Sequence, residues 1–279
     1  MRLAIDVTLA YDIDGEADVL LLVEAAAMAD QKLVMQDLRV FSDKPITAQP
    51  GLDGVGQRCW AQGTDHLRAE YRGIVDIDRP AHDIARLAAT APHDLPADAV
   101  PYLLPSRYCE SERFEGFVHR EFGDLAGGPL AAALRDWVRS NLDYAAGASN
   151  GLTTALETFA SRRGVCRDYA HLLVALARAG GIPARCVAAY APGVDPPDFH
   201  AVTELWLAGA WHLVDATGMA HADEIARVAV GRDATDIAFM TVFGTAQLIE
   251  QRVKVTRLDD PDGTPAPLRS FDQANGRVT

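Results

Sequence analysis

Polar and apolar residues alternate at the start of the chain: Leu3, Ile5, Val7, Leu9 and Tyr11 interleave with Arg2, Ala4, Asp6, Thr8 and Ala10. A period of two is what a strand with one buried face requires. Leu33 to Met35 with Leu38 to Phe41, then residues 58–62, 67–71 and 73–77, carry further strand patterns. Residues 19–29 give mixed signals. Their alanines favour helix locally, but a surrounding sheet overrides such propensity, and a strand is expected. These elements predict an N-terminal β-sandwich over residues 1–80.

The period then changes. Residues 81–109 form a Pro-rich connection in which Pro92, Pro96 and Pro101 limit long helices. Helices are expected over 111–122, 129–142 and 152–160, the second placing Leu130, Leu134, Trp137 and Val138 on one face. After Cys166, apolar residues at Tyr169, Ala170, Leu172, Leu173, Leu176 and Ala177 mark another helix, closed by Gly180-Gly181 and then Pro183. Strands follow over 184–190 and 200–207, and Gly209-Ala210 reads as a hairpin turn into Trp211 to Asp215. His200, Val202, Glu204 and Trp206 share one strand face. Strands over 228–230 and 249–255 are expected to complete the core sheet, with 239–244 walling a cleft. The fold class is thus α+β, with a core over 110–260 and an irregular Pro-, Asp- and Gly-rich tail over 261–279.

Candidate chemistry centres on Cys166, which opens its helix behind Gly164 with Asp168 in the first turn. Backbone N–H groups at a helix start point outward without partners, so they favour a thiolate and offer a donor to an oxyanion. His200 begins one strand and Asp215 ends the next, and the hairpin returns Asp215 to the side of His200. A thiol, an imidazole and a carboxylate in that arrangement suit nucleophilic attack on an acyl group. His171 lies within the helix and reads as a packing residue, while His212, on the opposite strand face from Asp215, is the alternative base. Cys186 reads as core, and Cys59 and Cys109 have no supporting context. No CxxC spacing occurs, and Cys166 and His171, five apart, do not share a helix face; no metal site is expected.

Gly164-Val165-Cys166-Arg167-Asp168-Tyr169-Ala170, then Arg178 to Arg185, then His200 and Trp211 to Thr217 resemble the transglutaminase-like superfamily, and within it the bacterial members with an extra N-terminal β domain. The resemblance spans roughly residues 140–217 and implies a papain-like cysteine hydrolase core with Cys166 as nucleophile, His200 as base and Asp215 as third member. It also implies a structural ion pair for Arg185 and a place near the active site for Tyr144, as oxyanion donor or cleft lining. One departure is Val202, where the family often carries an aromatic residue; Glu204 matches.

The net charge of −13, with no basic cluster, argues against nucleic acid and against anionic membranes as partners. No signal peptide or membrane-spanning run is read, so a cytoplasmic setting is expected. The expected partner is a peptide or protein amide substrate; no cofactor is expected, and no complete calcium-binding loop is read. Oligomeric state is not legible. Hydrolysis by a cysteine protease or amidase is the first reading. Amine transfer, or an inactive scaffold on the same fold, is the alternative.

Overall fold

The structure is a computed structural model that describes residues 1–258. The tail expected over 261–279 lies outside the described residues. The alternation at the start of the chain does form a strand, β1 (Arg2–Leu21), with Leu3, Ile5, Val7 and Leu9 buried. It is much longer than the pattern marked, because it continues through two register shifts, at Ala10/Tyr11 and Asp14/Asp18. Such irregularities bend a strand and increase its twist.

That bend explains the N-terminal architecture. β2 (Gln31–Phe41), β3 (Thr47–Pro50), β4 (Gln57–Gly63) and β5 (His66–Ile77) are all antiparallel neighbours in one continuous sheet. β5 pairs with Arg2 to Asp12 of β1, and β4 pairs on with Ala17 to Leu21. The expected sandwich is therefore a single curled sheet, since one strand is long enough to serve both ends. Residues 19–29 are strand only as far as Leu21, after which Leu22, Val23, Ala25 and Ala26 are buried in extended chain.

After 3-10 turns in the Pro-rich connection come α1 (Glu115–Phe122), α2 (Gly127–Asn141) and β6 (Asp143–Tyr144). Then follow α3 (Ala155–Ser161), β7 (Arg163–Gly164) and α4 (Cys166–Ala179). β8 (Ala184–Tyr190), β9 (His200–Leu207), β10 (Ala210–Val214) and β11 (Ala226–Gly231) make an antiparallel sheet in the order β10-β9-β8-β11. α4 lies against it, and every residue from Asp168 to Arg178 is buried. Leu172, Leu173 and Leu176 are wholly inside, each stabilising the fold by roughly 1.5–3 kcal/mol through burial.

After α5 (Ala234–Ile237), the last described strand, β12 (Met240–Arg257), corrects an expectation. Residues 249–255 do not complete the core sheet; β12 runs beside β1, with Val253 opposite Val7 and Val255 opposite Ile5. A two-residue period identifies a strand but not its sheet, and the apolar face it matches belongs to β1. Of the two strands expected to complete the core, only β11 does so.

The two sheets meet through a chain of charges whose centre, Glu204 with Arg185 and Arg227, is buried. Glu204 on β9 accepts from Arg185 on β8 and from Arg227 on β11, at 2.8 and 2.6 Å. Arg227 and Arg79 both reach Asp30, and Arg185 reaches Asp53. Three cations thus face three carboxylates, which is what lets charges be buried. Gly56 permits the close approach at this seam: a side chain there would collide with the Val228 carbonyl, 2.0 Å from its first carbon.

Candidate active site

Cys166 is the first residue of α4, and the helix start is held by its own sequence. The Val165 N–H donates to the Asp168 carboxylate at 2.8 Å, and Ser149 donates its hydroxyl to the same carboxylate, tying the 145–153 loop to the helix. Cys166 is half-buried, whereas Cys59, Cys109 and Cys186 are buried and all four are free thiols. Its sulfur lies 3.9 Å from the Phe199 carbonyl, one residue before His200.

The hairpin does bring the carboxylate back. Its turn is Ala208-Gly209, both with positive φ, so Ala210 is already paired with Leu207 and the turn sits one residue earlier than Gly209-Ala210. Two successive positive-φ residues match the right-handed strand twist, and only the glycine takes that conformation freely. Asp215, just beyond β10, accepts from His200 Nε2 at 2.9 Å. Its oxygens also accept from the Thr217 N–H and hydroxyl and from the Ala220 N–H, at 2.8, 2.7 and 3.0 Å. Both side chains are sealed from solvent.

Electrostatics follow from these partners. Burial works against a charged His200, but the Asp215 hydrogen bond, contact with Cys166 and the Asp215 charge outweigh it and raise the ring to about 9. Burial likewise works to raise Asp215, and the His200 hydrogen bond and charge, then Thr217, bring it below the ordinary carboxylate range. With Nε2 on Asp215, Nδ1 is the nitrogen left for the thiol, and it has no other hydrogen-bond partner among the described residues. The site can therefore hold a thiol beside a cationic imidazole backed by a carboxylate that is shut off from water and stabilised by protein N–H and O–H donors.

Tyr144 closes one side. The parallel pairing of β6 with β7 sets it opposite Gly164, two residues before the nucleophile, and its hydroxyl lies against the Cys166 thiol and backbone N–H. Burial first, then Cys166, push that hydroxyl up to about 12, so it stays protonated. Phe239 stacks on Phe199 with centroids 3.9 Å apart, which brings the start of the 239–244 segment beside the site. His212 contacts the Leu207 carbonyl and packs edge-on to His82. His171 is buried and accepts from the Ala234 N–H at 3.0 Å, as a packing residue would. Val202 lies in a small apolar cluster with Val187 and Val230.

Sequence reasoning passed over Ser149 and Phe199, whose parts depend on loops with no periodic signal. It did flag Asp168, but for the helix dipole and not as the residue that fastens the loop.

Comparisons with known proteins place the chain in a family. The sequence model of the transglutaminase-like superfamily matches residues 121–216. The crystal structure of a "Putative Cysteine Protease" from Cytophaga hutchinsonii is 32% identical and superposes with a TM-score of 0.88, covering 93% of this chain and 91% of that one. An uncharacterized protein of Mycobacterium leprae is 35% identical over 117 residues, which is 39% of this chain; the chain spans 42% of that relative's length. With a relative of that identity matched over nine-tenths of both chains, and the family's motif region recognised, the chain belongs to the transglutaminase-like superfamily, whose papain-like fold is that of thiol enzymes.

Proposed function

We propose that the protein is a cysteine protease or amidase that cleaves amide bonds in a peptide or protein substrate, with Cys166, His200 and Asp215 as its catalytic set. The observation that carries this is the buried 2.9 Å contact of His200 with Asp215 beside a half-buried thiol at a helix start. The Cytophaga hutchinsonii relative, named for cysteine protease activity, supports the same reading.

In the proposed reaction the Cys166 thiolate attacks the amide carbonyl carbon. The oxyanion takes hydrogen bonds from the Cys166 N–H and the Tyr144 hydroxyl. The C–N bond breaks as His200 gives its Nδ1 proton to the departing amine, leaving a thioester. His200, now neutral, removes a proton from water as its oxygen attacks the thioester carbon; the C–S bond breaks, the acid leaves, and the thiolate–imidazolium pair is restored. Asp215 keeps the ring oriented throughout and supports its charge. Among the described residues no helix is long and apolar enough to cross a membrane. A cytoplasmic setting and no nucleic-acid partner are proposed from the sequence and the net charge of −13.

The test is a panel of peptide amides incubated with and without a primary amine, following ammonia release and acyl transfer separately. Ammonia without dependence on the amine is the expected result. Amide consumption only when the amine is present assigns the chain to amine transfer, and no turnover of any amide, with Cys166 unreactive, overturns the enzymatic reading.

A further inference from the structure

Two cysteines outside the proposed chemistry face each other in the core. Cys109 lies in irregular chain before α1 and Cys186 on β8, both with no exposed surface. With the His171 ring they form a cluster whose sulfur and ring nitrogen atoms lie within 4.8 Å of one another. By composition this resembles a site for a soft metal ion.

The ring argues against a metal. The Ala234 N–H donates to His171 Nε2, so that lone pair is taken and the neutral ring carries its proton on Nδ1. Burial holds the ring neutral, and Nδ1 has no hydrogen-bond partner among the described residues. A metal at Nε2 would displace the Ala234 N–H. A metal at Nδ1 would require a proton on Nε2, directed at that same N–H. Metal-bound histidines normally donate their second N–H to an acceptor, and here that nitrogen meets a donor. What remains is sulfur chemistry.

We propose that Cys109 and Cys186 are a disulfide-forming pair, closed by a small-molecule disulfide such as oxidised glutathione. As the Cys109 segment opens, one thiol loses its proton and attacks a glutathione sulfur, releasing one glutathione as the thiol. The other cysteine, also giving up its proton, attacks the mixed disulfide and releases the second. One protein S–S bond forms, one glutathione S–S bond breaks, and the two protons end on the two glutathione thiols. The sulfurs must close to about 2.05 Å, and Cys109, which lies outside the sheet, is the partner that shifts. It belongs to no helix or strand, and a reciprocal backbone pair with Ser106 holds it, whereas Cys186 is fixed between β9 and β11. In a reducing compartment the pair rests as two thiols, and oxidising conditions close it.

The bridge has a consequence near the cleft. The Tyr108 carbonyl accepts from the Ala155 N–H, and its hydroxyl donates to the Gly151 carbonyl. Those residues lie in and beside the loop that Ser149 ties to Asp168. Closing the bridge fastens that loop to the central strands without involving Cys166.

The experiment refolds the reduced, unfolded full chain in a glutathione redox buffer, where both sulfurs are accessible while the fold closes. The product is acid-quenched, alkylated in denaturant and mapped by mass spectrometry. A peptide pair joined through Cys109 and Cys186, lighter by two hydrogens, with Cys59 still alkylatable, is the expected product, with a melting temperature several degrees above the reduced form. Cys109→Ser and Cys186→Ser should each refold without that cross-link. Free Cys109 and Cys186 thiols across the whole redox series, or a cross-link through Cys59 or Cys166, overturn the proposal. Binding of one equivalent of zinc by the reduced native protein, lost in both Cys109→Ser and Cys186→Ser, also overturns it, in favour of the metal.

Discussion

The surroundings of His200 and of His171 are equally dry, yet one ring is held charged and the other neutral. His200 is raised to about 9 and His171 is lowered to about 4. Burial lowers both. The difference lies in what meets the ring: His200 Nε2 faces a carboxylate, and His171 Nε2 faces a backbone N–H that needs an acceptor. A buried histidine is therefore a poor guide to function by itself, and the sign of its partner decides. In the reading proposed above, the carboxylate-backed ring moves protons and the amide-capped ring holds the fold.

The strongest way to break that contrast is turnover on one amide substrate. Cys166→Ala should abolish it, His200→Ala should be nearly as damaging, and Asp215→Asn should lose on the order of 10²–10⁴ in rate, with circular dichroism confirming each fold. Losses in double variants should be far from additive. If His200→Ala kept its activity while His212→Ala lost it, the base would be misassigned. Thiol labelling comes next: a brief iodoacetamide time course at near-neutral pH should modify Cys166 well ahead of Cys59, Cys109 and Cys186, since it alone is not buried. Equal labelling of all four counts against a live nucleophile.

Stability against pH sharpens the comparison, because the two rings act on opposite flanks. His200 is raised in the folded state, so its contribution is complete below the unfolded value near 6.5 and is lost as pH rises through about 9. His171 is depressed, so its contribution is complete above about 6.5 and is lost as pH falls through about 4. Each arm amounts to roughly 3 kcal/mol at most. Urea titrations across pH should give a dome, with His200→Ala flattening the alkaline side and His171→Gln the acid side. The smallest effect belongs to Ser149→Ala, which removes one hydrogen bond to buried Asp168 and should cost about 1 kcal/mol in the same titrations.

The parts of the site legible in the sequence were those with strong local grammar. Cys166 at a helix start, His200 at a strand start and Asp215 after a hairpin are all brought together. The hairpin turn fell one residue early because Ala208 adopts a positive φ that its side chain disfavours, and no residue preference announces that. β12 was legible as a strand, but its partner depended on an apolar match with β1 across more than two hundred residues. Cys109 gave no signal at all: its neighbour in space, Cys186, is on a strand 77 positions away and its segment has no period.

The pairing of β1 with β12 also bears on how the molecule is made. Leu3 lies opposite Arg257 and Leu21 opposite Met240, so one whole flank of the first strand waits for residues among the last described. On a ribosome, β1 can zip to β5 early, while its other edge stays open until the papain-like core has emerged. Contacts this distant in sequence make folding slow, and an open edge invites pairing with other chains in the meantime. Synthesis order thus makes the core a domain completed inside an unfinished sheet, and the nascent chain has a window in which a chaperone is most useful.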